Sequence, residues 1–534
     1  MILDQVKDTG KEVIVIYRNF IIAVLLTSAY GCSDSNNSDS ATNNDLPQPS
    51  SADEAPFSNV ILFGDSQSDS GNYPESIYYA NDPNSSSMFK IATNLYVPVS
   101  NPISADIFDP LYPNRVLFPV NSSHYSEFTP SEPDAICDVA AAQKTVCSSP
   151  RQGGSVNWVQ YFAFNASRSA AYRLFESIEL APWVALDSQE VKSSSPSINY
   201  AWFGAISPPT GCYNQNQTQL PIVCTRADIS EGQRSYRASQ QLSGEAATLG
   251  EEASYDLEDT MPVPTLYQQI ELLFLDDLNN NSALVDDDTL YIVYNGANDL
   301  STAFFDWVEG TISLEKFADD LWRRIPKYIV GTNNSAVEKL ISGLAGKGVT
   351  RGTILIFPQY NVGITPEIAY TTGITDIRVN EAVAKLLGVL VEIFNTRLEH
   401  YTHITAQNNP EFTFYYLGSL YDNMSALAFS APYTETFAQP CNDNTAIFNS
   451  QAIPSGEVSP CLNASGDPFL FWNTVHLAAP GQQVIASSAL DWLAEAVTVS
   501  DTSLSSTVTK EQLTKEIQAL DVFIKKHMLT PGAP

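Results

Sequence analysis

The chain has 534 residues, of which 44% are hydrophobic and 11% aromatic, so it can bury a large core. Its 60 acidic residues outnumber 27 Lys and Arg, giving a formal net charge of −33 at pH 7. Because Lys and Arg are the residues that bind the phosphates of nucleic acids, this excess of acidic residues argues against nucleic acid as a partner. It also disfavours long-range attraction to anionic lipid.

Residues 1–31 have the pattern of an export signal. Lys11, Arg18 and Asn19 precede an apolar run, Phe20–Leu26, and small residues follow it. The run is too short to span a bilayer and has signal-peptide proportions. Gly31-Cys32 is similar to the end of a bacterial lipobox, in which the cysteine is lipidated, although the two residues before Gly31 differ from the usual ones. An ordinary signal peptide with a chance cysteine is the alternative.

A flexible tether is predicted over residues 32–57, which are rich in Ser, Asn, Asp and Pro and offer almost nothing to bury. We therefore expect an exported outer-membrane lipoprotein facing the periplasm or the cell surface, anchored through a lipid on Cys32. A secreted protein is the alternative location.

Six further cysteines fall into three pairs of near neighbours. The pairs are Cys137 with Cys147, Cys212 with Cys224, and Cys441 with Cys461. Six cysteines allow 15 connectivities, and closeness in the chain favours a disulfide within each pair. No pair has C-x-x-C spacing, so the sequence predicts no zinc site. Disulfides of this kind indicate an oxidising compartment.

Apolar runs alternate with helical patterns over residues 58–498, as in a parallel α/β sheet covered on both faces. The predicted strands are Asn59–Phe63, Ile198–Trp202 (the weakest), Thr289–Asn295, Thr353–Pro358 and Phe412–Leu417. The predicted helices are Leu266–Asp277, Leu314–Tyr328, Val337–Leu344, Val379–His400 and a closing helix around Gln482–Val497.

Two long segments, Tyr73–Pro150 and Cys212–Met261, show no clear periodicity and are predicted to form functional loops or lids. A Ser/Thr-rich link and an amphipathic segment make up residues 499–534. In that segment an apolar stripe falls on one helical face, formed by Leu513, Ile517, Leu520 and Ile524. We expect this helix to pack on the domain.

The turn after the first predicted strand carries a candidate nucleophile. It reads Gly64-Asp65-Ser66-Gln67-Ser68. Ligands of open parallel sheets bind beyond the carboxyl ends of the strands, so a serine in this turn is placed to be both exposed and oriented. The alternative is that Asp65 or Ser66 merely caps the next helix.

The segment Phe63–Asn72 resembles the first motif block of the GDSL (SGNH) hydrolases, and similar blocks follow in family order. Residues 199–205 (Asn-Tyr-Ala-Trp-Phe-Gly-Ala) resemble the second block, and residues 296–299 (Gly-Ala-Asn-Asp) resemble the third. Residues 471–476 (Phe-Trp-Asn-Thr-Val-His) resemble the last. Weaker similarities at 155–159 and 357–366 extend the resemblance over most of residues 58–497.

This resemblance implies the SGNH hydrolase fold, a three-layer α/β/α sandwich with a flavodoxin-like, mostly parallel five-stranded sheet and two long loop insertions. It implies cleavage of a carboxylic ester through an acyl-serine intermediate, with no metal or other cofactor. The expected substrate is a lipid, phospholipid or short acyl ester. Two alternatives are a carbohydrate deacetylase of the same family and a surface lipoprotein with a decayed site, retained for binding.

The resemblance also assigns roles to individual residues. Ser66 is the nucleophile and His476 the base that takes its proton. The N–H groups of Ser66 and Gly204 and the side-chain amide of Asn298 form the oxyanion hole. Ester cleavage by serine needs such a base, and it needs donors aimed at the developing negative charge.

The chain departs from the family beside the base. The family's acid lies three residues before the histidine, and this chain has Asn473 there. The Asn473 carbonyl can accept a hydrogen bond from His476, but it carries no charge to stabilise an imidazolium, and its NH₂ can hold the wrong tautomer. We expect Asn473 to orient His476. A Ser-His dyad, and rescue by Asp467 or a bound anion, are the alternatives.

Overall fold

The computed structural model describes about half of the chain, mainly its sheet and helices. Described are residues 55–69, 87–90, 96–99, 108–109, 112–116, 137–140, 144–147, 151–152, 155–156, 158–168, 172–175, 178, 180–183, 197–202, 204–209, 211–214, 219–220, 224–229, 262–367, 377–430, 470–471, 476–477, 479–494 and 509–528. The export signal, most of the tether with Cys32, and Cys441, Cys461, Asp467 and Asn473 lie outside these ranges.

A parallel sheet of six strands forms the centre of the fold. The strands are β1 (Val60–Gly64), β2 (Leu180–Pro182), β3 (Ser197–Asn199), β4 (Leu290–Tyr294), β5 (Gly352–Ile356) and β6 (Phe412–Tyr416). Their order across the sheet is β2-β3-β1-β4-β5-β6, and every neighbouring pair is parallel. The predicted α/β fold with a mostly parallel sheet is therefore confirmed.

All five predicted strands are present. Their order, second-first-third-fourth-fifth along the chain, is that of flavodoxin-like sheets. The short strand β2 extends the sheet beyond β3, with Leu180 opposite Ser197. It has three residues and ends in Pro182, which is tolerated at a sheet edge because proline has no N–H to donate.

Helices cover both faces of the sheet. They are α1 (Trp158–Arg168), α2 (Leu266–Gln268, a π-helical segment Gln269–Phe274, and Leu275–Asn280), α3 (Ala297–Val308), α4 (Leu314–Asp319, a π-helical segment Asp320–Arg324, and Ile325–Val330), α5 (Ala336–Ala345), α6 (Ile377–Asn408), α7 (Ser419–Ala428), α8 (Ala479–Ala494) and α9 (Lys510–Met528). A 3₁₀ turn, Val362–Ile364, follows β5. The predicted helices are all present, and α1, α3 and α7 were not predicted.

Alternation along the strands divides the core into two layers. Ile61 and Phe63 of β1 pack with α2, α3, α4, α5, α6 and α9 on one face. Val60 and Leu62 point to the other face and pack with α1, α7 and α8. Since both faces are covered, β1 and β4 are buried at every position, which is why they read as continuous apolar runs.

The C-terminal helix α9 joins the first of these layers. Leu513, Ile517 and Leu520 are fully buried against α4 and α6. Each such side chain contributes about 1.5–3 kcal/mol on burial, so this face is held firmly on the domain. The side chain of Ile524 lies outside the described residues.

Short antiparallel strand pairs occur inside the two segments predicted to be irregular. The pairs are Ser87–Lys90 with Tyr96–Val99, Phe108–Asp109 with Tyr112–Val116, Cys137–Ala140 with Lys144–Cys147, and Cys212–Tyr213 with Gln219–Leu220. A further pair, Arg151–Gln152 with Ser155–Val156, precedes α1. Alternation over two to five residues is too short to stand out in such sequences. The rest of both segments lies largely outside the described residues.

The predicted disulfide between Cys212 and Cys224 is confirmed. The backbone register also places Cys137 opposite Cys147. Within the described ranges, no helix combines the length and apolar character needed to cross a membrane.

Candidate active site

Three neighbouring strands bring the predicted site residues to one edge of the sheet. The strands β3, β1 and β4 are adjacent and parallel, so their carboxyl ends meet. Ser66 follows β1, Gly204 follows β3, and Asn298 lies in the first turn of α3 after β4. Chain segments far apart in sequence thus meet where open α/β sheets bind ligands.

The turn that carries Ser66 is fixed at its start by Gly64. A Cβ on Gly64 would lie 2.4 Å from the carbonyl oxygen of Tyr294, so only glycine lets β1 and β4 approach here. The Gln269 side chain holds both polar groups of this residue. Its Oε1 accepts from the Gly64 N–H at 3.0 Å, and its Nε2 donates to the Gly64 carbonyl at 2.8 Å.

The serine turn is tied to β3 and to α1. The N–H groups of Ser68 and Asp69 both donate to the Asp65 carbonyl at 3.0 Å. Asn199 Nδ2 donates to the Ser68 carbonyl at 2.7 Å, and Trp158 Nε1 donates to Ser68 Oγ at 3.3 Å. These contacts fix the backbone on both sides of Ser66. The residue is buried, with 8% exposure, so the expectation that this serine is exposed is wrong, because the turn packs against β3 and α1.

The second predicted oxyanion donor, Gly204, has a positive φ of +72°, which favours glycine. The neighbouring Ala205 carbonyl accepts two side-chain amides, Asn298 Nδ2 at 3.0 Å and Asn295 Nδ2 at 3.3 Å. Since each NH₂ group carries two hydrogens, Asn298 keeps one with which to donate to a ligand. A hydrogen bond thus connects the Asn298 amide to the loop that carries Gly204.

Two buried carboxyl groups flank this region. Burial raises the pKa of Asp65 to about 7, although the backbone N–H groups of Gln67, Ala297 and Gly296 act to lower it. Burial also raises the pKa of Asp299 to about 7, and the charge of Asp65 adds to that increase. Near neutral pH, therefore, both carboxyl groups are partly protonated.

His476 lies in the segment before α8, and its side chain is buried. Burial lowers the pKa of His476 to about 4, because a charged imidazolium is disfavoured away from water. The ring is therefore neutral at pH 7, which is the form that a general base requires. Asn473 and Asp467, the two candidate orienting residues, lie outside the described residues.

Gln482 connects the histidine segment to the serine turn. Its Nε2 donates to the carbonyl of Leu477, the residue after His476, at 3.1 Å. Its Oε1 accepts from the Trp158 N–H at 2.9 Å, and the indole of Trp158 reaches Ser68. Two side chains thus span the distance between the two predicted catalytic segments.

Three polar residues of this region were not predicted from the sequence: Gln269, Gln482 and Ser207. The Ser207 N–H donates to the carboxyl group of Asp299, and Ser207 Oγ lies 2.9 Å from Asp299 Oδ2. All three act over long sequence separations, and no local pattern marks them. Among the described residues, no cluster of three or more His, Cys, Asp or Glu side chains is arranged to hold a metal ion.

Comparisons with known proteins leave the family open. Models of known protein families do not match the chain, and a search of curated proteins found no match either.

Proposed function

We propose that this protein is a serine hydrolase of the GDSL (SGNH) type, which cleaves carboxylic esters through an acyl-serine intermediate. Its SGNH fold is part of this proposal. The flavodoxin-like strand order and the helices on both faces of the sheet support it.

One observation carries the proposal. Ser66, Gly204 and Asn298 follow three adjacent parallel strands, and the Asn298 amide donates to the carbonyl of Ala205, next to Gly204. A nucleophile with two hydrogen-bond donors from neighbouring strand ends is the arrangement that acyl transfer needs. A turn that merely caps a helix does not require these donors.

In the acylation step, Ser66 Oγ attacks the ester carbonyl carbon while the neutral imidazole of His476 takes the hydroxyl proton. The carbonyl oxygen becomes an oxyanion, which accepts from the N–H groups of Ser66 and Gly204 and from Asn298 Nδ2. The tetrahedral intermediate then collapses, the C–O bond to the alcohol breaks, and His476 returns its proton to the leaving oxygen.

In the deacylation step, water attacks the acyl-serine carbonyl and gives its proton to His476. The same donors hold the second oxyanion. Collapse releases the carboxylic acid, and the proton returns to Ser66 Oγ. Each turnover consumes one water and yields one alcohol and one acid. Lipid, phospholipid and short acyl esters are the proposed substrate class.

We propose an exported location with an anchor on Cys32, facing the periplasm or the cell surface. The disulfide between Cys212 and Cys224 supports an oxidising compartment. Mass spectrometry of protein from its native membrane is expected to find acyl chains on Cys32. A mature N-terminus at another residue, with a soluble product, contradicts the anchor.

The test of the activity is hydrolysis of p-nitrophenyl butyrate by the purified protein and by Ser66→Ala. We expect Ser66→Ala to lose nearly all turnover. Ser342→Ala, which alters an exposed serine on α5, is the matched control and should keep it. Wild-type turnover in a folded Ser66→Ala variant overturns the assignment. Preference for acetylated oligosaccharides favours the deacetylase, and inactivity of the wild type on every ester favours the binding lipoprotein.

A further inference from the structure

A buried hydrogen-bonded trio lies behind the predicted oxyanion donors. Ser207 Oγ is 2.9 Å from Asn295 Oδ1 and also 2.9 Å from Asp299 Oδ2. The Ser207 N–H lies 3.1 Å and 3.0 Å from the two carboxyl oxygens of Asp299. Ser207 is fully buried, and Asn295 and Asp299 are nearly so. Buried polar groups of this kind have to satisfy one another.

The number of protons in the trio determines the charge of Asp299. The Ser207 hydroxyl has a single hydrogen, yet it faces two oxygens that accept hydrogen bonds. Asn295 Nδ2 donates to the Ala205 carbonyl, which points Oδ1 of Asn295 at Ser207. The reverse amide orientation would set Oδ1 against the Ala205 carbonyl, where neither atom can donate. Asn295 Oδ1 therefore takes the hydroxyl hydrogen, and Ser207 Oγ then needs a donor from Asp299.

We infer that Asp299 is held as a neutral carboxylic acid that donates from Oδ2 to Ser207 Oγ, and that it positions the oxyanion donors. The chain of donors runs from Asp299 through Ser207 and Asn295 to the carbonyl of Ala205, which Asn298 also contacts. This role rests on the proposed ester hydrolysis. Asp299 touches no reacting atom and acts only through Ala205 and the adjacent Gly204.

The surroundings favour the neutral form. Burial raises the pKa of Asp299, and its hydrogen bonds to Ser207 act in the opposite direction. Among the described residues, the titratable groups that interact with it are Asp65, from the turn after β1, and Tyr213, from the Cys212–Tyr213 strand. The charge of Asp65 raises the pKa of Asp299. Burial raises the pKa of Tyr213, and the charge of Asp299 adds to that increase. A charged Asp65 thus disfavours a carboxylate at position 299, whereas the phenol of Tyr213 is uncharged near neutral pH.

Ionisation of Asp299 reverses the direction of the hydrogen bonds between Asp299, Ser207 and Asn295. A carboxylate only accepts, so the Ser207 hydroxyl turns toward it and Asn295 Oδ1 loses its donor. The hold of Asn295 on Ala205 then weakens, and Gly204 and Asn298 lose their fixed separation. Ester turnover is therefore expected to fall as the pH rises through the pKa of Asp299, about 7.

The test compares Asp299→Asn and Asp299→Ala with the wild type in p-nitrophenyl butyrate hydrolysis between pH 5 and pH 9. The amide introduced by Asp299→Asn reproduces the neutral acid, since its Nδ2 donates to Ser207 Oγ and its Oδ1 accepts from the Ser207 N–H. We expect Asp299→Asn to keep at least about a tenth of the wild-type kcat at pH 6 and to lack the alkaline fall. Asp299→Ala should lose up to about 100-fold, the scale of one oxyanion donor.

Two outcomes overturn the inference. If Asp299→Asn loses as much turnover as Asp299→Ala, the native group is a charged carboxylate. If the alkaline fall persists in Asp299→Asn, another group, such as Asp65, causes it.

A stability measurement separates failure of this inference from failure of the proposed function, because it needs no ester. A folded-state pKa above the unfolded value of 3.8 costs the wild type stability as pH rises from about 4 to about 7. The amide of the Asp299→Asn variant does not titrate. The Tm of Asp299→Asn relative to the wild type should therefore rise over that range and level off above it. A difference in Tm that stays flat or falls over this pH range contradicts a neutral Asp299, even if no ester is cleaved.

Discussion

The backbone N–H of Trp158 donates to Gln482 Oε1 at 2.9 Å, across 324 residues of sequence. Trp158 is the first residue of α1, where helix N–H groups lack partners within the helix. Gln482 therefore caps α1 from α8, and its Nε2 also holds the carbonyl of Leu477, next to His476. The Gln482 side chain thus stabilises both the start of α1 and the segment that carries His476.

Replacing this glutamine tests that double role. Gln482→Leu removes the hydrogen bonds that Gln482 makes to the Trp158 N–H and the Leu477 carbonyl. We expect the free energy of unfolding to fall by about 1–3 kcal/mol for each of these buried groups. We also expect kcat to fall by up to about 100-fold, because His476 loses its fixed position. Urea unfolding and steady-state kinetics measure the two effects.

The neighbouring Gln483→Leu is the control. Gln483 donates to the hydroxyl of Tyr161 at a partly exposed position, so its loss should cost under about 1 kcal/mol. Equal effects of the two substitutions would show that the Trp158 contact has no special role.

His476 should set the acidic limb of the pH–activity profile. Burial lowers the pKa of His476 to about 4, and only the neutral ring accepts the serine proton. Activity should therefore fall as pH drops through about 4, well below the ordinary histidine value of 6.5. The profile of kcat/KM, with unfolding followed at each pH, checks this. A half-maximal point near the ordinary histidine value contradicts the buried, neutral base.

Features that depend on neighbouring residues could be predicted from the sequence, whereas features that depend on residues far apart in the chain could not. Strands β1, β4, β5 and β6 are apolar runs because helices cover both faces of the sheet and most of their residues are buried, so each was located to within one or two residues. Strand β2 has only three residues, which is too few for a pattern.

The same reasoning applies to the site. The turns with Ser66, Gly204 and Asn298 are short local motifs and were visible in the sequence. The partners that fix them were not. Gln269 binds Gly64 from 205 residues away, and Gln482 binds Trp158 from 324. Glutamine is common at exposed helix positions, so only folding reveals these roles.

The disulfide between Cys212 and Cys224 should stabilise the domain. Replacing both cysteines by serine is expected to lower the free energy of unfolding by about 2–4 kcal/mol, because a closed loop restricts the unfolded chain. Non-reducing peptide mapping should also find Cys137 bonded to Cys147 and Cys441 bonded to Cys461. Free thiols at two or more of these positions contradict the pairing. An unchanged urea midpoint in the double variant contradicts the stabilising role.

Restoring the family's acid should improve the base. Asn473→Asp places a carboxylate three residues before His476, where it can stabilise the imidazolium and raise the imidazole pKa. One pKa unit corresponds to about 1.4 kcal/mol, so kcat should rise by about tenfold. The acidic limb should move to higher pH.

Asp467→Asn is the companion variant for position 473. It leaves activity unaltered if Asn473 orients the base, whereas a large loss identifies Asp467 as the partner. In that case Asn473→Asp would add a second negative charge, and activity would stay flat or fall.

Covalent trapping of the nucleophile tests the central claim most directly. A fluorophosphonate reacts with an activated serine, and the labelled residue is found by peptide mass spectrometry. We predict one label per chain, on Ser66, that disappears in His476→Ala because the hydroxyl then has no base. A label on another residue, or none on a folded wild type that hydrolyses esters, would contradict the assignment of Ser66 as the nucleophile.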